Sequence, residues 1–563
     1  MMNKHVKYLK RLQRLKRFFY PAVHFLDKTR IFPIVVPIIN FSLKTLKVNK
    51  RFQKDLNYRL IAKASRNAFT DQPKVSYDKL MVIPFIKGAD NLFLIWSFAV
   101  AKKMKDQGYD SLFVICDKAL PICHAERLYK SREEDKHICS NCYNGYDHII
   151  KNSKANFTFL SKFVQDDDLK KEFSKIDAMN SINECADYTF QNSEIGRLNY
   201  TAVMRYFQTG EMEYTDEFLG IYKKFIKAGA MFSFSWNAMM KELNINPDLV
   251  LIYNGSLSSE AFVVDYCINK KITYVTHECF YGANSWMYRV NGDVMNLTWE
   301  DKWDEFSKNE LTEEQRIKAS EFMGGFRRGE KYHIRYNNEF PLSEIFKKNE
   351  FVVLFTNLNF DTAVLGRNPV FSSMYKWIEE VIEYWNINEI QTKLVIRVHP
   401  AEGKNISVTK DTVKTRVGHL IEQSKNIYLY DSLDEVNSYS LIENMKFSLV
   451  YASTIGVETA LMGKVFIVAG NAHYRYKSFS LFHENKEDYF KEIEKQLNRT
   501  NPSNPNPEDA LKYAYFLFFM CIKKLNGLET DHLHKVNDFD FDDLDDLIEK
   551  NHELLVEFEN EIL

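Results

Sequence analysis

Short apolar runs alternate with longer stretches whose apolar positions recur at helical spacing. KLMVIPFI (79–86), SLFVIC (111–116), DLVLIYNGS (248–256) and ITYVTHE (272–278) are runs of strand length. FVVLFTN (351–357), TKLVIRVHPAEG (392–403), NIYLYD (426–431), FSLVYA (447–452) and VFIVAG (465–470) continue the series. Most leave no room for a polar alternate, which predicts strands covered on both faces. Between them lie helical patterns such as LFLIWSFAVAKKMKDQG (92–108), SSEAFVVDYCINKK (258–271) and SSMYKWIEEVIEYW (372–385). In the last, Trp377, Val381, Ile382 and Trp385 form one stripe, read as core. Strands alternating with helices imply parallel sheets, whose ligands gather at strand C-terminal ends.

The pattern divides the 563 residues into four parts, too many for one core. They are an N-terminal arm (1–75), an α/β domain (76–340) with an insertion (116–145), a second α/β domain (341–500) and a helical tail (501–563). The predicted fold class is α/β, two Rossmann-like domains facing a cleft. The charged stretch 300–345 links them, and the tail is expected to pack back across both.

Charge changes the picture only at the N-terminus. Residues 1–54 carry fourteen Lys or Arg against one acid, Asp27, within a chain of net charge −1. Tyr8, Leu12, Leu15, Phe18 and Phe19 fall near one helical face. This predicts an interfacial anchor on an anionic membrane, at the cytoplasmic face, against the plainer reading of a basic helix on the protein's own surface. No run of 18 apolar residues predicts a spanning helix, and the rest of the chain is too acidic for a nucleic-acid binder.

Eight cysteines are too sparse for a disulfide scaffold. Four of them, Cys116, Cys123, Cys139 and Cys142, lie in the insertion, with Cys139-Ser-Asn-Cys142 a CxxC pair. The spacing makes a structural zinc staple a candidate and unrelated reduced thiols the alternative.

The candidate chemistry sits at strand ends. Arg397-Val398-His399-Pro400-Ala401-Glu402 ends a strand, and proline fixes the turn behind the imidazole. Arg397, two residues earlier, belongs to the same side of the strand. The stretch 447–470 reads strand, turn at Ser453, Thr454 and Gly456, helix from Val457, strand. A helix opening off a strand favours an anion, and Glu458 is placed to meet ribose hydroxyls. Arg475 follows the last strand. In the first domain, Glu278 and His277 are the expected acceptor-activating groups, with Asp90 next; Asp361 in the second domain is a further candidate. No DxD-type metal site stands out, so catalysis is expected to need no metal or other cofactor.

RVHPAE, followed by YASTIGVETALMGKVFIVAG and AHYRYKSFS, resembles the capsular-polysaccharide biosynthesis glycosyltransferases, which include Kdo transferases. The resemblance covers roughly residues 350–480, and 78–290 only in layout. It implies a GT-B architecture, a nucleotide-sugar donor and a glycan or lipid-linked acceptor. It also implies that His399, Ser453 and Thr454 bind donor phosphate and that Glu458 holds ribose or base. Two alternatives stand beside it. One is a CDP-alcohol phosphotransferase of the same fold; the other is a silent scaffold working through the basic arm and acidic tail.

Overall fold

The computed structural model describes residues 62, 65–69 and 79–563, except 86–90, 127–138, 140–141, 143–145, 165, 280–283, 328–345, 347, 404–408, 504–505 and 531–535. The basic stretch 1–54 and Asp90 therefore lie outside the described residues. Two largely parallel sheets organise the rest. The first contains β1 (Lys79–Phe85), β2 (Tyr109–Ile115), β3 (Phe157–Phe159), β4 (Leu249–Tyr253), β5 (Thr273–Glu278) and β6 (Ser285–Val290). The second contains β7 (Phe351–Phe355), β8 (Lys393–Arg397), β9 (Ile427–Tyr430), β10 (Ser448–Val450), β11 (Phe466–Val468) and β12 (Leu481–Phe482).

The spatial order is β6-β5-β4-β1-β2-β3 in one sheet and β12-β11-β10-β7-β8-β9 in the other. Counted within its own domain, each sheet runs 6-5-4-1-2-3, the doubly wound order. Each therefore has a switch point where successive connections leave in opposite directions, between β1 and β4 and between β7 and β10. The second sheet is parallel throughout. In the first, β6 turns back antiparallel to β5. Beyond it lies β13 (Lys523–Lys524), which arrives from the C-terminal tail.

Each sheet is covered on both faces, which is why its strands read as unbroken apolar runs. The stripe of helix Met374–Ile387 is buried as a unit: Trp377, Ile378, Val381, Ile382 and Trp385. Its two indoles keep their N–H bonds inside the core, Trp377 to Tyr489 Oη and Trp385 to the Thr392 carbonyl, each 2.8 Å. Ser373 caps it by accepting from Lys376 N at 3.1 Å.

The tail crosses from one domain to the other. Helix Pro507–Tyr515 packs with second-domain strands, in a cluster that also takes in Trp299 and Trp303. Leu525, Leu528 and apolar residues from Val536 to Phe558 pack on the first sheet, with Phe558 against Trp286. Among the described residues, no helix is long and apolar enough to cross a membrane.

Candidate donor crevice

At the switch point of the second sheet, two side chains following β7 clamp the turns on either side. Thr356 Oγ1 accepts from His399 N at 2.9 Å, and Asn357 Oδ1 accepts from Ala452 N at 3.1 Å. The turns after β8 and β10 are thereby held together, bringing His399 and Ser453 to the edge of the same crevice. His399 is half-buried, and its Nδ1 accepts from Ala401 N at 3.2 Å. A ring nitrogen that accepts carries no proton, so the neutral imidazole keeps its hydrogen on Nε2, as a donor.

The Ser453 turn is held from below. Its carbonyl accepts from Tyr474 Oη and from Gly456 N at 3.2 Å, while its Oγ accepts from Ile455 N at 3.4 Å. Gly456 is required by that close approach: a Cβ there would overlap the Tyr474 hydroxyl. The helix starts at Ile455, two residues before the expected Val457, and ends at Leu461. Thr454 caps it in helical conformation without a side-chain bond. With only seven residues, this helix contributes little dipole, and the side chains carry the chemistry. Glu458 accepts from Tyr439 Oη. It lines a cavity of about 400 Å³ with Ser320, Met323, Gly324 and Leu511.

Two expected phosphate ligands are engaged elsewhere. Arg397 is 3% exposed and donates through Nη1 to the Asp431 carbonyl at 2.6 Å, so it ties β8 to the end of β9 rather than standing beside His399. Arg475 bonds Asn471 and lies with its guanidinium 4.6 Å from the Tyr476 ring centroid.

The first domain presents a different edge. His277 is a core residue, not a base: it is 1% exposed, packs edge-on against Phe93 and accepts from Trp286 Nε1 at 3.2 Å. Burial pushes its imidazole down to about 3, so it is neutral at any working pH. Glu278, the next residue, stands at the end of β5. It accepts from Asn254 Nδ2 at 2.8 Å and from Cys279 N at 3.0 Å. A pair that sequence reading missed lies close by, where His124 Nδ1 is 3.3 Å from Ser258 Oγ and 3.5 Å from Glu260 Oε2. His124 comes from the loop after β2 and Glu260 from the first turn of the helix after β4, so only the sheet order brings them together.

The loop after β7 joins the two crevices. Asp361 Oδ1 accepts from Ala363 N at 3.1 Å, making a local turn. Phe360 and Leu365 are buried within the first domain's core. Arg367 donates to Asp293 at 2.7 Å, and Asp293 in turn accepts from Ser256, just after β4. A second contact runs from loop 208–213: Arg416 to Glu211 at 3.0 Å, Ser373 to Glu211, Lys410 to Glu213 and Thr409 to the Gln208 carbonyl at 2.9 Å.

Much of the insertion that would carry the zinc staple, 127–138, 140–141 and 143–145, lies outside the described residues. Among the described residues, no three His, Cys, Asp or Glu side chains group as metal ligands, and Cys116, Cys123, Cys139 and Cys142 form no disulfide. Burial raises the Cys123 thiol, and the neighbouring Cys142 and Cys116 raise it further; burial raises Cys116 as well.

Residues 300–499 match the family model described as capsule polysaccharide biosynthesis protein. The resemblance read from RVHPAE and the 447–470 stretch is thus shown for the segment that carries both. No curated protein matches the chain. Solved structures with some likeness include KpsC from Thermosulfurimonas dismutans, a beta Kdo 2,7 transferase. It is 11% identical, with 56% of this chain and 88% of that one covered and a TM-score of 0.32. The S. aureus MnaA–UDP structure is 10% identical over 77% and 94% of the two chains, with a TM-score of 0.25. UDP-GlcNAc 2-epimerase from Methanocaldococcus jannaschii is 10% identical over 78% and 99%, with a TM-score of 0.24. The fold assignment rests on the strand order, not on these scores.

Proposed function

We propose that this protein is a glycosyltransferase of surface-polysaccharide assembly, taking its sugar from a nucleotide-sugar bound in the second-domain crevice. One observation carries the reading. At a doubly wound switch point, His399 is locked in the tautomer that donates from Nε2, on the turn clamped beside Ser453. A leaving nucleotide phosphate gains negative charge as the glycosidic bond breaks, and a preorganised donor stabilises that charge without reorganising. Ser453 and Thr454 supply hydroxyls at the same edge. Glu458, oriented by Tyr439, opens onto a cavity of a size that takes part of a nucleoside.

Glu278 is the acceptor-activating group in this reading. It stands on a strand end of the other domain, and bonds from Asn254 Nδ2 and the Cys279 amide fix its direction. Metal is not required, because His399 and the hydroxyls take the role of a bound cation. Residues 1–54 would hold the enzyme on an anionic membrane where a lipid-linked acceptor lies.

Release of nucleotide from a panel of CMP-, CDP-, UDP- and GDP-sugars tests the activity. One donor should be consumed, with EDTA without effect. Consumption of a CDP-alcohol instead would select the phosphotransferase, and no consumption of any donor would contradict both.

A further inference from the structure

Glu402 closes the RVHPAE motif, and donor binding gives it no task. Its backbone N–H donates to the His399 carbonyl at 3.0 Å, closing the turn. Its side chain is 2% exposed. Oε1 accepts from Val413 N at 3.0 Å, the first residue of helix Val413–Glu422. Oε2 has no hydrogen-bond partner among the described residues.

The same helix carries the contact with the first domain. One turn beyond Val413, Arg416 donates to Glu211 at 3.0 Å and to Glu379 at 2.8 Å. Just before the helix, Thr409 reaches the Gln208 carbonyl, and Asn359 joins Thr409 to Tyr375. A buried carboxylate therefore stands between the turn that presents His399 and the strap that fastens the domains.

We propose that Glu402 is a positioning residue that transmits the state of the His399 turn to the contact between the two domains. Its nucleotide-dependent part rests on the donor reading above. A carboxylate is a costly choice for a purely structural link. Burial, then the facing Asp431 after β9 and Asp411 before the helix, raise its proton affinity to about 7, against the opposing Val413 N–H. Tyr375 faces it from helix Met374–Ile387. Lys414 lies 3.7 Å from Asp431, on the outer side of the same helix. A raised acid favours its neutral form. Its contribution to stability is complete below the ordinary carboxylate range and is lost as pH rises through about 7.

Hydrogen exchange of the full chain, read at peptides covering 208–213, tests the link. Glu402→Ala should speed exchange there roughly tenfold, while Glu402→Gln, which keeps an acceptor for Val413 N, should leave it close to wild type. Glu402→Gln should also be more stable than wild type at pH 8, with the gap closing as pH falls toward 5. Each nucleotide of CMP, CDP, UDP and GDP that binds should slow exchange at 208–213 in the wild type and not in Glu402→Ala. Unchanged exchange in Glu402→Ala overturns the proposal. If that variant does not fold, a pH-independent stability gap for Glu402→Gln overturns it instead. Should no nucleotide bind the wild type, the donor reading falls, and exchange in the unliganded variants still decides Glu402.

Discussion

At the switch point of the second sheet stand a histidine with its proton on the outer nitrogen, a serine and a threonine. On the strand ends of the first stand carboxylates, Glu278 closing β5 and Glu260 just after β4, with two buried histidines, His277 and His124. The strand order is identical, so topology does not separate the two crevices. Residues on the strand ends do. Donors without a formal charge suit a phosphate that gains charge as it leaves, and carboxylates suit an acceptor hydroxyl that must lose a proton. In the proposed reading, one fold used twice offers the two halves of a transfer reaction, and the site rather than the fold makes the division.

The comparison is broken most severely on the acidic side. Glu278→Gln should lower kcat by about 10²–10⁴-fold while nucleotide affinity is unchanged, because the base acts on the acceptor alone. A loss of nucleotide affinity instead would show that Glu278 shapes the donor crevice. On the donor side, His399→Ala should weaken nucleotide binding by about 10–100-fold, the worth of one hydrogen bond to a charged group, with an unchanged melting temperature.

A smaller, graded effect comes from His277 and from His473, which is 6% exposed with its Nδ1 2.7 Å from Tyr513 Oη. Burial holds both His277 and His473 at about 3, below their unfolded value. A depressed base contributes stability above its unfolded range, near pH 6.5, and that contribution is lost as pH falls toward 3. Below about pH 6 each should cost up to about 1.4 kcal/mol per pH unit. Urea unfolding at pH 7 and pH 5 measures this, and the difference should shrink in His277→Gln. The interdomain ion pair comes last. Glu211→Gln should cost only about 0.2–1 kcal/mol, since Glu211 and Arg416 are both partly exposed. Denaturation in low and high salt should show that difference fading.

Legibility followed sequence distance. The alternation of apolar runs with helical spacing showed two parallel sheets, because each strand is buried on both faces and declares itself locally. The strand-end turns were legible for the same reason: Pro400 and Gly456 mark where the chain leaves the sheet. Side-chain direction was harder. His277 and Glu278 are neighbours and both are buried, but alternation along β5 packs one against Phe93 and Trp286 and turns the other to Asn254. Nothing local said which, because a histidine suits either place. Arg397 was read toward His399, yet its guanidinium was drawn to the carbonyl of Asp431 on the next strand. Contacts made by folding alone had no local signal: Arg416 with Glu211, His124 with Glu260, and Phe360 within the other domain's core. The cysteine spacing suggests a metal, and Cys142 and Cys116 do neighbour Cys123, but much of the insertion lies outside the described residues.

The central claim is that the second crevice holds a nucleotide through His399. Calorimetric titration of wild type and His399→Ala with CMP, CDP, UDP and GDP tests it most directly. The account expects one nucleotide to bind the wild type well above the rest, and His399→Ala to lose at least about tenfold of that affinity while staying folded. Equal affinity in the two proteins, or no binding of any nucleotide to the wild type, would contradict it.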